Sequence, residues 1–173
     1  MFFALRSTFV TSASSQTIFA ASAGAGCGPA AGPQPAGELA AEIVWLDALV
    51  TNVDRTPRNP NLLVWHDRLW LIDHGAALYL HHRDWSPARD ATLAFPAIRD
   101  HVLLPGAGSI HDADERLAAK LPAEAVRAAV DLVPAGWIDG DRYVEYLTRR
   151  LASPRAFAAE AERARLAMRR AAA

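Results

Sequence analysis

Cysteine is almost missing from this chain: Cys27 stands alone, so neither an intrachain disulfide framework nor a cysteine-built zinc site can form. Lysine is as scarce. Lys120 is the single lysine among 18 basic residues, and the other 17 are arginines. No window of about 20 apolar residues runs free of charges and turn signals, which excludes an ordinary transmembrane helix and sets the expectation of a soluble, cytoplasmic protein with no membrane partner. A net charge of −1 leaves no excess of either sign to suggest a polycationic nucleic-acid binder or an acidic tail. The Arg149-Arg150 and Arg169-Arg170 pairs are expected on solvated helix faces, with partners such as Glu145, and not at a nucleic-acid site. What remains is ordinary: 173 residues, 51% hydrophobic and 21% charged, the profile of one globular domain.

The first 37 residues contain no acidic side chain and one charge, Arg6, and they end in a run rich in Gly, Pro and Ala. Such composition fills a core poorly, so residues 1–37 are expected to be a low-complexity leader, disordered or truncated, ahead of a domain at 38–173. A cleaved signal is a weaker reading, because Ser, Thr and Gln interrupt the apolar run.

From Glu38 the periodicity is clear. Leu39, Ile43, Leu46 and Val50, widened by Trp45 and Leu49, predict a buried helix over 38–50. An ordered loop rich in Asn, Asp, Arg and Pro follows over 51–61. Apolar runs at 62–66 and 69–72 predict a hairpin turning at Asp67-Arg68. Downstream the pattern predicts a short piece at 77–81, a loop at 84–95, helices near 95–103, 113–120, 123–132 and 141–151, and a last helix starting at Pro154. Trp45, Trp65 and Trp70 are expected to pack in the core. The fold class is mainly α with a small β-hairpin.

Chemistry concentrates between the first helix and the end of the hairpin. Asn52-Val53-Asp54-Arg55-Thr56-Pro57-Arg58-Asn59-Pro60-Asn61 precedes Leu62-Leu63, and Leu71-Ile72-Asp73-His74-Gly75 closes the returning strand. An Asp in a loop, an amide five residues on and a second Asp after a hairpin suit phosphoryl transfer. One carboxylate accepts or orients the acceptor hydroxyl, while a second carboxylate and an amide oxygen hold magnesium against the phosphates. Taken singly, each of these residues is an ordinary turn former. The order and spacing together carry the signal.

The stretch resembles the catalytic and metal-binding segments of the protein-kinase-like superfamily, and most closely the HipA-like kinase domain, over about residues 38–82. The resemblance implies the C-terminal lobe of a protein-kinase-like α+β fold that binds ATP and Mg²⁺ and transfers phosphate to a protein or small-molecule hydroxyl of unknown identity. It makes Asp54 the catalytic base, Asp73 the principal metal-binding carboxylate and Asn59 the amide ligand. Spacing from Asp54 selects Asn59, whereas position directly before the apolar strand selects Asn61, so both stay candidates. Arg55 is placed to reach a phosphate or to pair with Asp73. His74 stands where kinases of the D-F-G type carry Phe.

Kinases of this superfamily also use a glycine-rich phosphate-covering loop and a lysine upstream of the catalytic loop. Here Lys120 lies downstream of both motifs, and the Gly24–Gly28 run lacks flanking strands. The expectation is therefore a partial kinase whose nucleotide-covering lobe is missing or reduced, with impaired activity unless a partner chain completes it. One alternative is a non-catalytic, kinase-like binding or regulatory module. Another is a His/Asp metal-dependent phosphohydrolase, drawing on His66, His74, His81, His82, His101 and His111 with Asp112 and Asp114, although Ser109 to Asp114 also reads as a helix cap.

Overall fold

The computed structural model describes residues 35–65 and 68–173. The reading of a leader over 1–37 thus lies outside the described residues up to position 34, and Gly37 already begins the first helix.

Helix α1 (Gly37–Leu49) forms where the periodicity places it, but it is buried on nearly every side: Ala40, Ala41, Ile43, Val44, Trp45, Ala48 and Leu49 are all inside. It is a central helix, and the 39/43/46/50 stripe is only one of its packed faces. It ends in a Schellman motif: Asn52 N–H donates to Asp47 O at 2.9 Å and Thr51 N–H to Ala48 O at 3.4 Å. Thr51 takes the left-handed position (φ 51°) that glycine usually fills, which hides this helix end from a search for glycine.

The loop leads into an antiparallel hairpin of β1 (Leu62–Trp65) and β2 (Arg68–Leu71). The register pairs Leu62 with Leu71 and closes on Trp65 with Arg68, one residue earlier than a turn at Asp67-Arg68 requires. Leu62 points into the core, whereas Trp65 and Trp70 are 51% and 37% exposed with ring centroids 6.2 Å apart. Their expected burial is corrected: a two-stranded ribbon covers one face only, and these indoles lie against each other instead of inside.

A 3₁₀ turn (Tyr79–His82) and a short helix α2 (Pro87–Asp90) follow, the latter inside the stretch expected as a loop and capped by Ser86 Oγ, which accepts from Arg89 N–H at 3.3 Å. The helix expected at 95–103 is replaced by two 3₁₀ turns, Pro96–Asp100 and Leu104–Gly106, separated by an extended His101 (ψ 130°). Pro96 opens the first of these, a position proline tolerates, while Pro105 lies inside the second and has no N–H to donate, so a continuous α-helix through both is not favoured. Helices α3 (Ile110–Ala118), α4 (Ala123–Val130), α5 (Gly140–Leu151) and α6 (Ala156–Ala171) complete the chain. The last starts at Ala156, after Pro154 and not on it.

Helices α1, α3 and α6 pack on one another, with the two 3₁₀ turns closing the main core. Phe157 sets its ring edge-on to Trp45 at 5.6 Å, and Trp45 Nε1 donates to Asp114 Oδ1 at 2.7 Å. Asp114 also accepts from Arg155 Nε at 2.8 Å, so the buried indole N–H ends on a charge that is itself neutralised. Gly108 N–H donates to Gly37 O at 2.7 Å, and a β-carbon at Gly108 would sit 3.1 Å from that oxygen. This close crossing holds the start of α1 against the approach to α3. A second cluster of Leu80, Trp85, Ala91 and Tyr146 lies between α2 and α5. Among the described residues no helix is long and apolar enough to cross a membrane.

Candidate functional site

The loop after α1 is hung from one buried carboxylate. Asp47, in the last turn of α1, is fully buried and receives three side chains: Asn52 Nδ2 on Oδ1 at 3.0 Å, and Arg55 Nε at 2.5 Å and His101 Nε2 at 2.9 Å on Oδ2. Leu103 N–H donates to His101 Nδ1 at 3.1 Å, which leaves the proton on Nε2, facing Asp47. Burial alone pushes the Asp47 carboxyl up, but the His101 hydrogen bond and the Arg55 charge outweigh it and hold the group below its ordinary value. A buried charge on this scale is stable only because its lone pairs are filled and Arg55 balances it.

From this anchor the backbone is placed residue by residue. Asn52 Oδ1 accepts from Asp54 N–H at 3.2 Å, fixing the start of the loop. Arg55 O accepts from Val102 N–H at 3.0 Å, pinning the loop to the segment after the 3₁₀ turn at Pro96–Asp100. Thr56 and Asn59 form a one-pair bridge around Pro57-Arg58, which turns the chain back so that Asn59 and Asn61 face Asp54.

The sequence-predicted residues do meet. Asn59 Nδ2 donates to Asp54 Oδ2 at 2.7 Å, and Asn61 Nδ2 approaches the same oxygen at 3.3 Å and the Asp73 carbonyl at 3.5 Å. Asp54, Asn59 and Asn61 are half-buried, and Asp73 is exposed at the end of the hairpin. Asp73 Oδ1 accepts from Gly75 N–H at 3.4 Å, an Asx turn that orients the carboxylate. Asn61 and Asp73 both have positive φ, 49° and 50°, and they flank the last backbone bond of the ribbon, Ile72 N–H to Asn61 O at 3.0 Å. Left-handed backbone at residues other than glycine costs about 1–3 kcal/mol each, least for Asn and Asp, and persists where surrounding bonds over-determine it.

Arg55 is not where the sequence reading puts it. Its side chain is 1% exposed and neither pairs with Asp73 nor opens toward a phosphate: Nε is bound to Asp47, Nη1 donates to Asn61 O at 2.5 Å, and Nη2 lies 3.2 Å from His74 Nε2. Since a guanidinium only donates, His74 Nε2 accepts. Burial, then the Arg55 charge, depress the His74 pKa below the ordinary imidazole value against the opposing pull of Asp47 and Asp73. What sequence reasoning missed is the buried support behind the loop, Asp47 with His101 hydrogen-bonded to it. Asp47 sits on a helix otherwise apolar at every neighbouring core position, and that is the one local signal of its role.

His74, His101 and His111 have separate partners. His101 binds Asp47, His74 faces Arg55, and His111 pairs with Glu115 at 3.6 Å on the surface. Asp112 lies in the first turn of α3, whose N-cap is Ser109, and Asp114 holds Trp45 and Arg155. Among the described residues no three His, Cys, Asp or Glu side chains gather as a metal group. The donor set around Asp54 is of another kind, one exposed carboxylate with amide oxygens: hard ligands of the sort Mg²⁺ takes, in the small number it needs when phosphates and water complete its shell. Comparison of the chain with protein families, curated proteins and solved structures returns no match.

Proposed function

We propose that the loop 52–61 and the strand end 72–75 form the catalytic and metal-binding segments of a HipA-like kinase, acting in ATP- and Mg²⁺-dependent transfer of phosphate to a protein or small-molecule hydroxyl. The observation that carries this reading is the meeting of Asp54, Asn59 and Asn61 at one carboxylate oxygen, with Asn61 also reaching the backbone of Asp73. Residues 12 to 19 positions apart along the chain, which the motif resemblance singles out, thus share one edge of the hairpin.

On this reading Asp54 accepts or orients the proton of the acceptor hydroxyl, held for that task by Asn52 behind it and by two amides beside it. Asp73, with the amide oxygen of Asn59 or Asn61, would hold the magnesium, whose charge offsets that of the phosphates. Asn61 is the amide nearer to the Asp73 segment, its Nδ2 reaching both Asp54 Oδ2 and the Asp73 carbonyl. The family's phosphate-contacting lysine has no counterpart among the described residues, where Lys120 lies exposed beyond α3. Turnover on this reading therefore calls on a further segment or a partner chain for the nucleotide-covering lobe.

A second reading, a non-catalytic module that keeps the loop as structure, is favoured by the double engagement of Asp54 Oδ2 by amides. Calorimetry of ATP binding with and without Mg²⁺ separates the two. Phosphotransfer predicts Mg²⁺-dependent binding that Asp73→Ala abolishes and Asp54→Ala spares, with any turnover lost in Asp54→Ala. Absence of Mg²⁺-dependent binding to the wild-type chain refutes the kinase reading for this chain.

A further inference from the structure

The guanidinium of Arg55 has a distinctive set of partners. It joins three segments that the chain delivers separately: Asp47 at the end of α1, Asn61 at the entry to β1 and His74 at the exit from β2. Its bond to Asn61 falls on a carbonyl that already accepts from Ile72 N–H, the last ladder bond before Asp73. The clamp is therefore applied at the point where the ribbon opens, at left-handed Asn61 and one residue before left-handed Asp73 on the opposite strand. The remaining anchor, Asp47, is fully buried in the central helix.

We infer that Arg55 is a positioning residue that sets the separation of the Asn61 amide from the Asp73 carboxylate, and thereby the affinity of the site for a divalent cation. This rests on the phosphotransfer reading. A planar fork with donors in fixed directions suits the task, because it reaches the carboxylate, the carbonyl and the imidazole at once from a single buried site. Lysine, a single point donor on a flexible stem, can keep the charge beside Asp47 but cannot span all three. Outer-sphere groups of this kind commonly govern metal affinity by orienting ligands they do not replace.

The experiment is Mn²⁺ binding to the full chain with ATP present, followed by water-proton relaxation, for the wild type, Arg55→Lys, His101→Gln and Asp73→Asn. Arg55→Lys is expected to weaken Mn²⁺ binding about 10–100-fold while retaining the helical circular dichroism. His101→Gln disturbs the same buried carboxylate without touching the hairpin, and is expected to keep the wild-type affinity. Wild-type affinity in Arg55→Lys, or an equal loss in His101→Gln, overturns the positioning role while leaving phosphotransfer standing. Unchanged binding in Asp73→Asn overturns the metal site itself. If Arg55→Lys does not fold, His74→Phe replaces it: it removes the Nη2 partner and keeps the Asp47 pair, so weakened binding supports the role and wild-type binding overturns it.

Discussion

Asp47 illustrates how much one side chain can decide. It buries a negative charge in the last turn of α1, where the macrodipole is unfavourable to it, and it is kept there by Arg55, His101 and Asn52. Asp47→Asn leaves the Arg55 charge buried without a counter-ion, at an expected cost of about 3–5 kcal/mol. The pH dependence has a definite sign. Because the folded-state pKa lies below the ordinary 3.8, the unfolded chain binds the proton first, so the stabilisation from Asp47 is full above that value and is lost as pH falls through the folded pKa. Urea unfolding of wild type and Asp47→Asn at stepped pH should show a gap that is constant near neutrality and narrows below about pH 4. A gap that persists unchanged into acid would contradict the assignment.

At the scale of elements, α5 repays attention through Arg150. It is 2% exposed, and its guanidinium donates to Ala48 O at 3.0 Å and Leu49 O at 2.8 Å at the end of α1, and to Ala91 O at 3.2 Å and Leu93 O at 2.8 Å beyond α2. Arg150→Met keeps the stem and removes those four bonds, for an expected loss of roughly 2–4 kcal/mol by chemical denaturation. Exposed Arg149, which pairs with Glu145 at 2.8 Å, should change stability by less than about 1 kcal/mol when replaced by Gln. The sequence reading treats these adjacent arginines alike, and only Arg149 fits it. Local patterns were enough for α1, the hairpin and the Ser109 cap, whose determinants lie within a few residues of one another. They could not reveal Arg150, whose acceptors on α1 lie 101 and 102 positions away, nor the redirection of Arg55 onto Asp47 and away from Asp73. The two 3₁₀ turns were missed because apolar residues at 95–103 imitate a helical stripe while prolines interrupt the ladder. At the site the spacing picks out residues that the fold brings together, but the scaffold behind them is made by contacts that spacing cannot show.

Across the whole molecule the two apolar clusters meet at α5. Leu147 packs against both, and the Arg150 guanidinium lies 4.8 Å from the ring of Phe157 in one and 5.8 Å from that of Tyr146 in the other. The tryptophans divide accordingly: Trp45 and Trp85 are 1% and 5% exposed, and Trp65, Trp70 and Trp137 are 51%, 37% and 77% exposed. Iodide quenching of native fluorescence should resolve a protected and an accessible class, with Trp137→Phe depleting the accessible one and Trp45→Phe the protected one. A single class in the native protein would contradict this arrangement.

Among the described residues, the four non-glycine residues with left-handed backbone, Thr51, Asn61, Asp73 and Leu78, all lie between the end of α1 and the 3₁₀ turn at Tyr79–His82, around the hairpin that leads to Asp73. Each is a position where glycine relieves steric crowding. A library sorted only for heat resistance would therefore be drawn to this neighbourhood and would treat the side chains gathered there as faults to be repaired. Keeping Asn and Asp at two of those positions forgoes that gain, and on the proposed phosphotransfer reading a sort for cation binding pulls the same library the opposite way.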